Sequence, residues 1–106
     1  HAGSAIVNIG ANGAVKAGAG LGAYAASKSG VARFTESLAE EVKQQGVRVN
    51  AVLPSIIDTP INRADMPDAD FAQWVTPEEL ANVLIFLTSD QASGVTGALV
   101  PVVGRV

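Results

Sequence analysis

The chain has 106 residues, seven Lys and Arg against ten Asp and Glu, a formal net charge of -3, 48% hydrophobic residues and no Cys. That length has room for one small domain, and the lack of Cys removes a disulfide framework, a thiolate nucleophile and a Cys-ligated metal site. The single His, at position 1, leaves no Ser-His-Asp catalysis and few zinc sites, while the acidic balance with scattered basic residues argues against nucleic acid or an anionic membrane as partner.

Mean hydropathy is +0.30, high for a chain this short, yet no apolar run approaches the roughly 20 residues that span a bilayer. No basic segment leads into an apolar one, so no signal peptide is expected and the expected location is cytoplasmic.

The first predicted element is the strand Ala5-Ile6-Val7-Asn8-Ile9. It is largely β-branched and carries apolar residues on both faces of the pleat, which suits a strand covered on both sides. Residues 10–22 follow with five glycines and read as a loop. Within it, Gly18-Ala19-Gly20-Leu21-Gly22-Ala23 has the form of the dinucleotide fingerprint G-x-G-x-x-G/A. The fingerprint needs its glycines in a tight turn directly after the strand. Here about eight residues intervene after Ile9, so a Gly/Ala loop is the preferred reading.

A helix of about twenty residues is predicted from near Tyr24 to near Gln45, with Val31, Phe34, Leu38 and Val42 as its apolar stripe and Gly46 as its stop. A second strand follows, Val47-Arg48-Val49-Asn50-Ala51-Val52-Leu53. Residues 54–75 hold Pro54, Pro60, Pro67 and four of the five aspartates, and read as a long irregular connection of the kind that carries function. In that stretch Asp70 reads as a helix N-terminal charge, Trp74 as an apolar anchor and Arg63 as a solvated side chain. Thr76-Pro77-Glu78-Glu79 opens a second helix with an N-cap hydroxyl, proline at the first helical position and glutamate three residues after the cap. Leu80, Val83, Leu84 and Leu87 form its stripe, and Ala98 to Val103 make a third strand. Strand, helix, strand, long connection, helix, strand is the order of a parallel α/β sheet built from right-handed units.

Tyr24-Ala25-Ala26-Ser27-Lys28 is the candidate chemistry. Residues four apart share a helix face, so the Lys28 ammonium can lie beside the Tyr24 phenol. A positive charge next to a phenol favours the phenolate, which a tyrosine acting as general acid or base requires.

The strand ending in Asn8-Ile9, the Gly-rich loop, Tyr24-x-x-x-Lys28 at the start of a long helix, and a second strand running into Pro54 and Thr59 together resemble the carboxyl-terminal half of the short-chain dehydrogenase/reductase family. The resemblance covers essentially the whole chain. It implies a Rossmann-like, doubly wound parallel-sheet fold, of which residues 1–106 are a single partial unit, and hydride transfer between NAD or NADP and a small-molecule substrate carrying C=O or C=N. Tyr24 would be the catalytic acid/base and Lys28 would bind the nicotinamide ribose. In Pro54-Ser55-Ile56-Ile57-Asp58-Thr59, a backbone group of Ile57 would meet the nicotinamide carboxamide and the Thr59 hydroxyl would touch the cofactor. Residues 54–75 would be the substrate lid.

Three departures from the family pattern accompany the resemblance. The serine that stands thirteen residues before the tyrosine is Ala11 here, and Ser55 occupies a position that is commonly glycine. The amino-terminal half, with the fingerprint and the adenosine site, is absent. Loss of the serine together with the run from Leu53 to Trp74, including Asp58-Thr59-Pro60, Asn62-Arg63, Met66-Pro67 and Phe71, resembles the dihydropteridine-reductase branch. That resemblance implies a dihydropteridine-like substrate. The family's Tyr-bearing helix also packs in a dimer interface, so a homo-oligomer is expected. The competing expectation is a truncated, non-catalytic piece that folds by oligomerising, its open sheet edge and bare helix faces covered by other copies.

Overall fold

The computed structural model describes residues 2–12 and 22–106. Most of the fingerprint-like run, positions 18–21, lies outside the described residues. In chain order the elements are β1 (Ala5–Ile9), α1 (Gly22–Val42), β2 (Arg48–Pro54), α2 (Pro60–Asp65), α3 (Pro77–Thr88) and β3 (Leu99–Val102). Short 3-10 turns occupy Lys43–Gln45, Phe71–Gln73 and Asp90–Ala92. The three strands form a parallel sheet in the order β1-β2-β3, with Val7 opposite Asn50 and Val52 opposite Val100.

β2 lies in the middle, and Val49, Ala51 and Val52 are completely buried, as the apolar run predicts. β1 departs from the expectation of cover on both sides: Ile6 and Ile9 stay about half exposed, because β1 is hydrogen-bonded only to β2 among the described strands. Alternation along the strands divides the two helices. Val7, Val52, Val100 and Val102 meet Leu80, Val83, Leu84 and Leu87 of α3. On the other face, Asn8 Nδ2 donates to Thr35 Oγ1 of α1 at 3.0 Å.

This placement corrects the expected handedness. The sheet runs one way, β1 to β2 to β3, so two right-handed connections would put both helices on one face. Helices on opposite faces give the two connections opposite hands. Parallel crossovers are right-handed in nearly every case because a tight strand-helix join enforces it. Residues 55–76 remove that constraint, since they carry the chain to the other face before α3 begins.

The stripe predicted for α1 also differs from the one that packs. Ala32, Thr35 and Ala39 are buried, whereas Phe34 is 61% exposed. Small side chains let the helix backbone come close to β2, and Thr35 disposes of its hydroxyl locally by donating to the Val31 carbonyl at 2.7 Å. Gly46 ends the helical segment as expected, with φ of +75° and its N–H on the Lys43 carbonyl. α3 has both halves of the predicted capping box: Glu79 N–H to Thr76 Oγ1 at 3.1 Å and Thr76 N–H to Glu79 Oε1 at 2.9 Å. Its far end is held by Arg48, which donates to the Leu87 carbonyl at 2.8 Å and the Ser89 carbonyl at 3.0 Å. Carbonyls left open at a helix C-terminus attract such a cation.

Candidate active site

Ligands in open α/β sheets sit beyond the carboxyl ends of the strands. At that end an open cleft of about 470 Å³ runs between Ala11 and Asn12 after β1, Tyr24 on α1, and Pro54, Ser55 and Ile56 at the end of β2. A second, smaller hollow of about 250 Å³ takes in Ala11, Lys28 and Leu53. A larger cleft of about 650 Å³ lies at the opposite end, among Gly3, Gly46, Arg48 and Thr96, and holds none of the candidate residues.

Tyr24 lies on the first turn of α1 and is 54% exposed. Lys28 follows one turn later, its Nζ 5.9 Å from the centre of the Tyr24 ring, within reach of a cation-π contact. Among the described residues no carboxylate pairs with that ammonium. Ala11 faces the cleft where a hydroxyl stands in the family pattern, so the walls near Tyr24 offer less hydrogen bonding there. Ser55 is accommodated because no described non-glycine residue has a positive φ. Its N–H donates to the Val102 carbonyl and its Oγ to the Val103 carbonyl at 3.1 Å, which fastens the end of β2 to β3.

The segment after β2 is more ordered than its composition suggests. Ile57 and Val75 form a parallel bridge, with Val75 N–H on the Ile56 carbonyl at 2.9 Å and Asp58 N–H on the Val75 carbonyl at 2.7 Å. Residues 58–74 are therefore an excursion whose two limbs are tied at the base. Thr59 caps α2, its Oγ1 accepting the Asn62 N–H at 3.2 Å. The Asn62 amide donates to the Ile57 carbonyl at 2.8 Å, which leaves that oxygen a second lone pair. From sequence Asn62 is one position of the lid resemblance with no role of its own, although Thr59-Pro60 repeats the hydroxyl-proline start recognised at Thr76-Pro77 and marks α2.

Arg63 keeps a half-exposed side chain, as its reading expects, but it is also paired. Its Nε and Nη2 donate to the two Asp58 carboxylate oxygens at 2.6 and 2.8 Å, and its guanidinium lies 4.6 Å from the centre of the Phe71 ring. These hydrogen bonds hold the Asp58 carboxyl below the usual range and raise Arg63 in turn. Phe71 stacks obliquely on Trp74 at 4.8 Å, and Trp74 is buried as an anchor. Asp70 accepts the Ala72 N–H and caps the 3-10 turn, in line with its reading as a helix N-terminal charge.

Comparison with known proteins adds to this geometry. Residues 1–104 match the family model described as enoyl-(acyl carrier protein) reductase. The chain is 42% identical over 108 residues to the 3-oxoacyl-[acyl-carrier-protein] reductase of Pseudomonas aeruginosa, an alignment that takes in 93% of this chain and 43% of that one. Its backbone superposes with a TM-score of 0.82 on an oxidoreductase of the short-chain dehydrogenase/reductase family from Burkholderia thailandensis, at 38% identity over 94% of this chain and 43% of that one. It superposes with a TM-score of 0.79 on 4-hydroxyisoleucine dehydrogenase in complex with NADH, at 30% identity over 94% of this chain and 44% of that one. The chain thus spans less than half the length of these relatives. Among the described residues no helix is long and apolar enough to cross a membrane.

Proposed function

The chain belongs to the short-chain dehydrogenase/reductase family, and from that premise we propose that it carries the catalytic side of an NAD- or NADP-dependent oxidoreductase. The observation that carries the reading is half-buried Lys28, its Nζ 5.9 Å from the Tyr24 ring and without a carboxylate partner among the described residues, lining a hollow that shares Ala11 with the open cleft at the carboxyl ends of a parallel sheet. A cation left without an internal anion suits a hydroxyl-rich ligand such as a ribose, so the residues present fit a nicotinamide cofactor.

The bound cofactor supplies the hydride. Lys28 binds the ribose hydroxyls and holds positive charge near the phenol. Tyr24, or a water relayed through it, delivers the proton to the reduced atom. The Ile57 backbone, steadied by Asn62 and the bridge to Val75, would meet the carboxamide, and the Thr59 hydroxyl would contact the cofactor. Pro54, which lines the cleft with Tyr24, would flank the cofactor. Residues 58–74 cover the substrate.

The substrate is a small molecule with a conjugated C=N or C=O, of the dihydropteridine type. Ala11 supports this, since a substrate that needs little carbonyl polarisation can dispense with the hydroxyl that serine would bring. Titrating NADH and NADPH into the protein and following nicotinamide fluorescence tests the reading: binding in the micromolar range supports a competent site, and no binding means that these 106 residues need the family's amino-terminal half to hold the cofactor. In the complete enzyme, Tyr24→Phe should lower turnover by a factor of about 10²–10⁴, the usual worth of a positioned acid or base, with cofactor binding retained. Turnover at the wild-type level in that variant removes Tyr24 from the reaction.

The same protein is proposed to be a cytoplasmic homo-oligomer. The second reading, a non-catalytic piece that folds by association, is favoured by the bare apolar residues of β1 and α1. Absence of cofactor binding in an associated protein selects it.

A further inference from the structure

After β3 the chain turns back along the lid. Gly104 makes the turn with φ of +61°, and a Cβ there would stand 3.1 Å from the Gln73 carbonyl oxygen and 3.3 Å from the Trp74 carbonyl carbon. Only glycine seats backbone against backbone this closely in the left-handed region. The residue it delivers is Arg105. Its N–H donates to the Gln73 carbonyl at 3.0 Å, Nε to the Ala72 carbonyl at 3.1 Å and Nη2 to the Trp74 carbonyl at 2.6 Å. Nη1 and Nη2 also meet the two Glu79 carboxylate oxygens at 3.1 and 3.0 Å. Glu79 accepts the Thr76 N–H in turn. The carbonyls of residues 72, 73 and 74 and the amide of residue 76 are all held by this one pair, and Val75 between them is the residue bridged to Ile57.

We propose that Arg105 is a positioning residue, a latch on the return limb of the lid that fixes the Ile57 backbone through the Ile57–Val75 bridge. The role toward cofactor rests on the reading of Ile57 given above, whereas the latch itself stands on the contacts. A half-exposed ion pair adds little to global stability. Four hydrogen bonds of Arg105 and Glu79 converging on residues 72–76 instead set local order, and the planar fork of arginine can serve carbonyls and a carboxylate at once where the point charge of lysine cannot.

The test is amide hydrogen exchange of the unliganded protein at Asp58 and Val75, with Val49 and Val52 of β2 as reference, in wild type, Arg105→Ala and Arg105→Lys. Exchange at Asp58 and Val75 should quicken about ten-fold or more in Arg105→Ala while β2 is unchanged, the pattern of local opening. Lysine should not restore it. Glu79→Gln, which keeps an oxygen for the cap, should give a smaller effect of the same pattern and serves if Arg105→Ala does not fold. The dissociation constant for NADH should rise severalfold as the competent arrangement of Ile57 becomes less populated. Unchanged exchange at Asp58 and Val75, or equal loss of protection in β2, overturns the latch. Quickened exchange with unaltered NADH affinity overturns the positioning role. If wild type binds neither NADH nor NADPH, the chain does not hold the cofactor by itself and the positioning role falls, and the exchange data then decide the latch separately.

Discussion

Asn50 shows how much a single buried amide can decide. It is fully buried in β2, with Nδ2 donating to the Val95 carbonyl at 3.0 Å and Oδ1 accepting the Ala98 N–H at 3.0 Å. Both bonds go to the loop that must place β3 against β2. Asn50→Ala strands the part-buried Ala98 N–H and leaves the Val95 carbonyl only the 3.4 Å contact from Arg48, so chemical denaturation should show a loss of about 1–3 kcal/mol. A loss well under 1 kcal/mol would mean that water or a loop shift replaces the amide. Asn50 reads from sequence only as a polar residue in an apolar run. Its partners lie about forty-five residues away, and no local pattern points to them. Tyr24 and Lys28 are the opposite case, because one helical turn fixes their relation and the sequence contains that turn.

The elements differ in how local their causes are. The start of α3 is written in four consecutive residues, and the capping box forms as those residues require. Thr76→Ala should cost about 1 kcal/mol, measured by thermal unfolding. The same corner carries a pH dependence. Hydrogen bonds from Arg105 and from the Thr76 backbone lower the Glu79 carboxyl to about 2, from an ordinary 4.5. A folded value below the unfolded one means that the contribution is fully present above about pH 4.5 and is lost as pH falls toward 2. The melting temperature of wild type should therefore exceed that of Glu79→Gln near pH 6, and the two should converge on acidification. A constant gap down to pH 2 would detach Glu79 from the acid response. By contrast, the packing face of α1 is not written in its apolar stripe. Phe34 satisfies the period of a core-facing position, but close approach to the sheet selects Ala32, Thr35 and Ala39.

At the scale of the whole molecule, apolar residues stand out on several surfaces. Ile6, Ile9, Phe34 and Ile85 are all more than 40% exposed, and among the described strands β1 is paired along one edge, to β2. Edges and apolar patches of this kind draw other chains. Light scattering at micromolar concentration should find the 106-residue chain associated, and charged replacements at Phe34 and Ile6 should shift it toward monomer. A monodisperse monomer would show that these surfaces need no cover.

Neighbours in the chain are enough to specify three apolar strands, two helices with their stop and start signals, and the Tyr24-Lys28 pair one turn apart. The rest waited on tertiary structure, because its causes act between distant residues. The opposite hands of the two connections depend on where the 22-residue connection, residues 55–76, lets the chain cross the sheet. The order inside that connection comes from Asp58 with Arg63, Ile57 with Val75, and Arg105 with residues 72–79. Composition marked residues 54–75 as irregular, and only the folded chain brings residue 105 across to hold them.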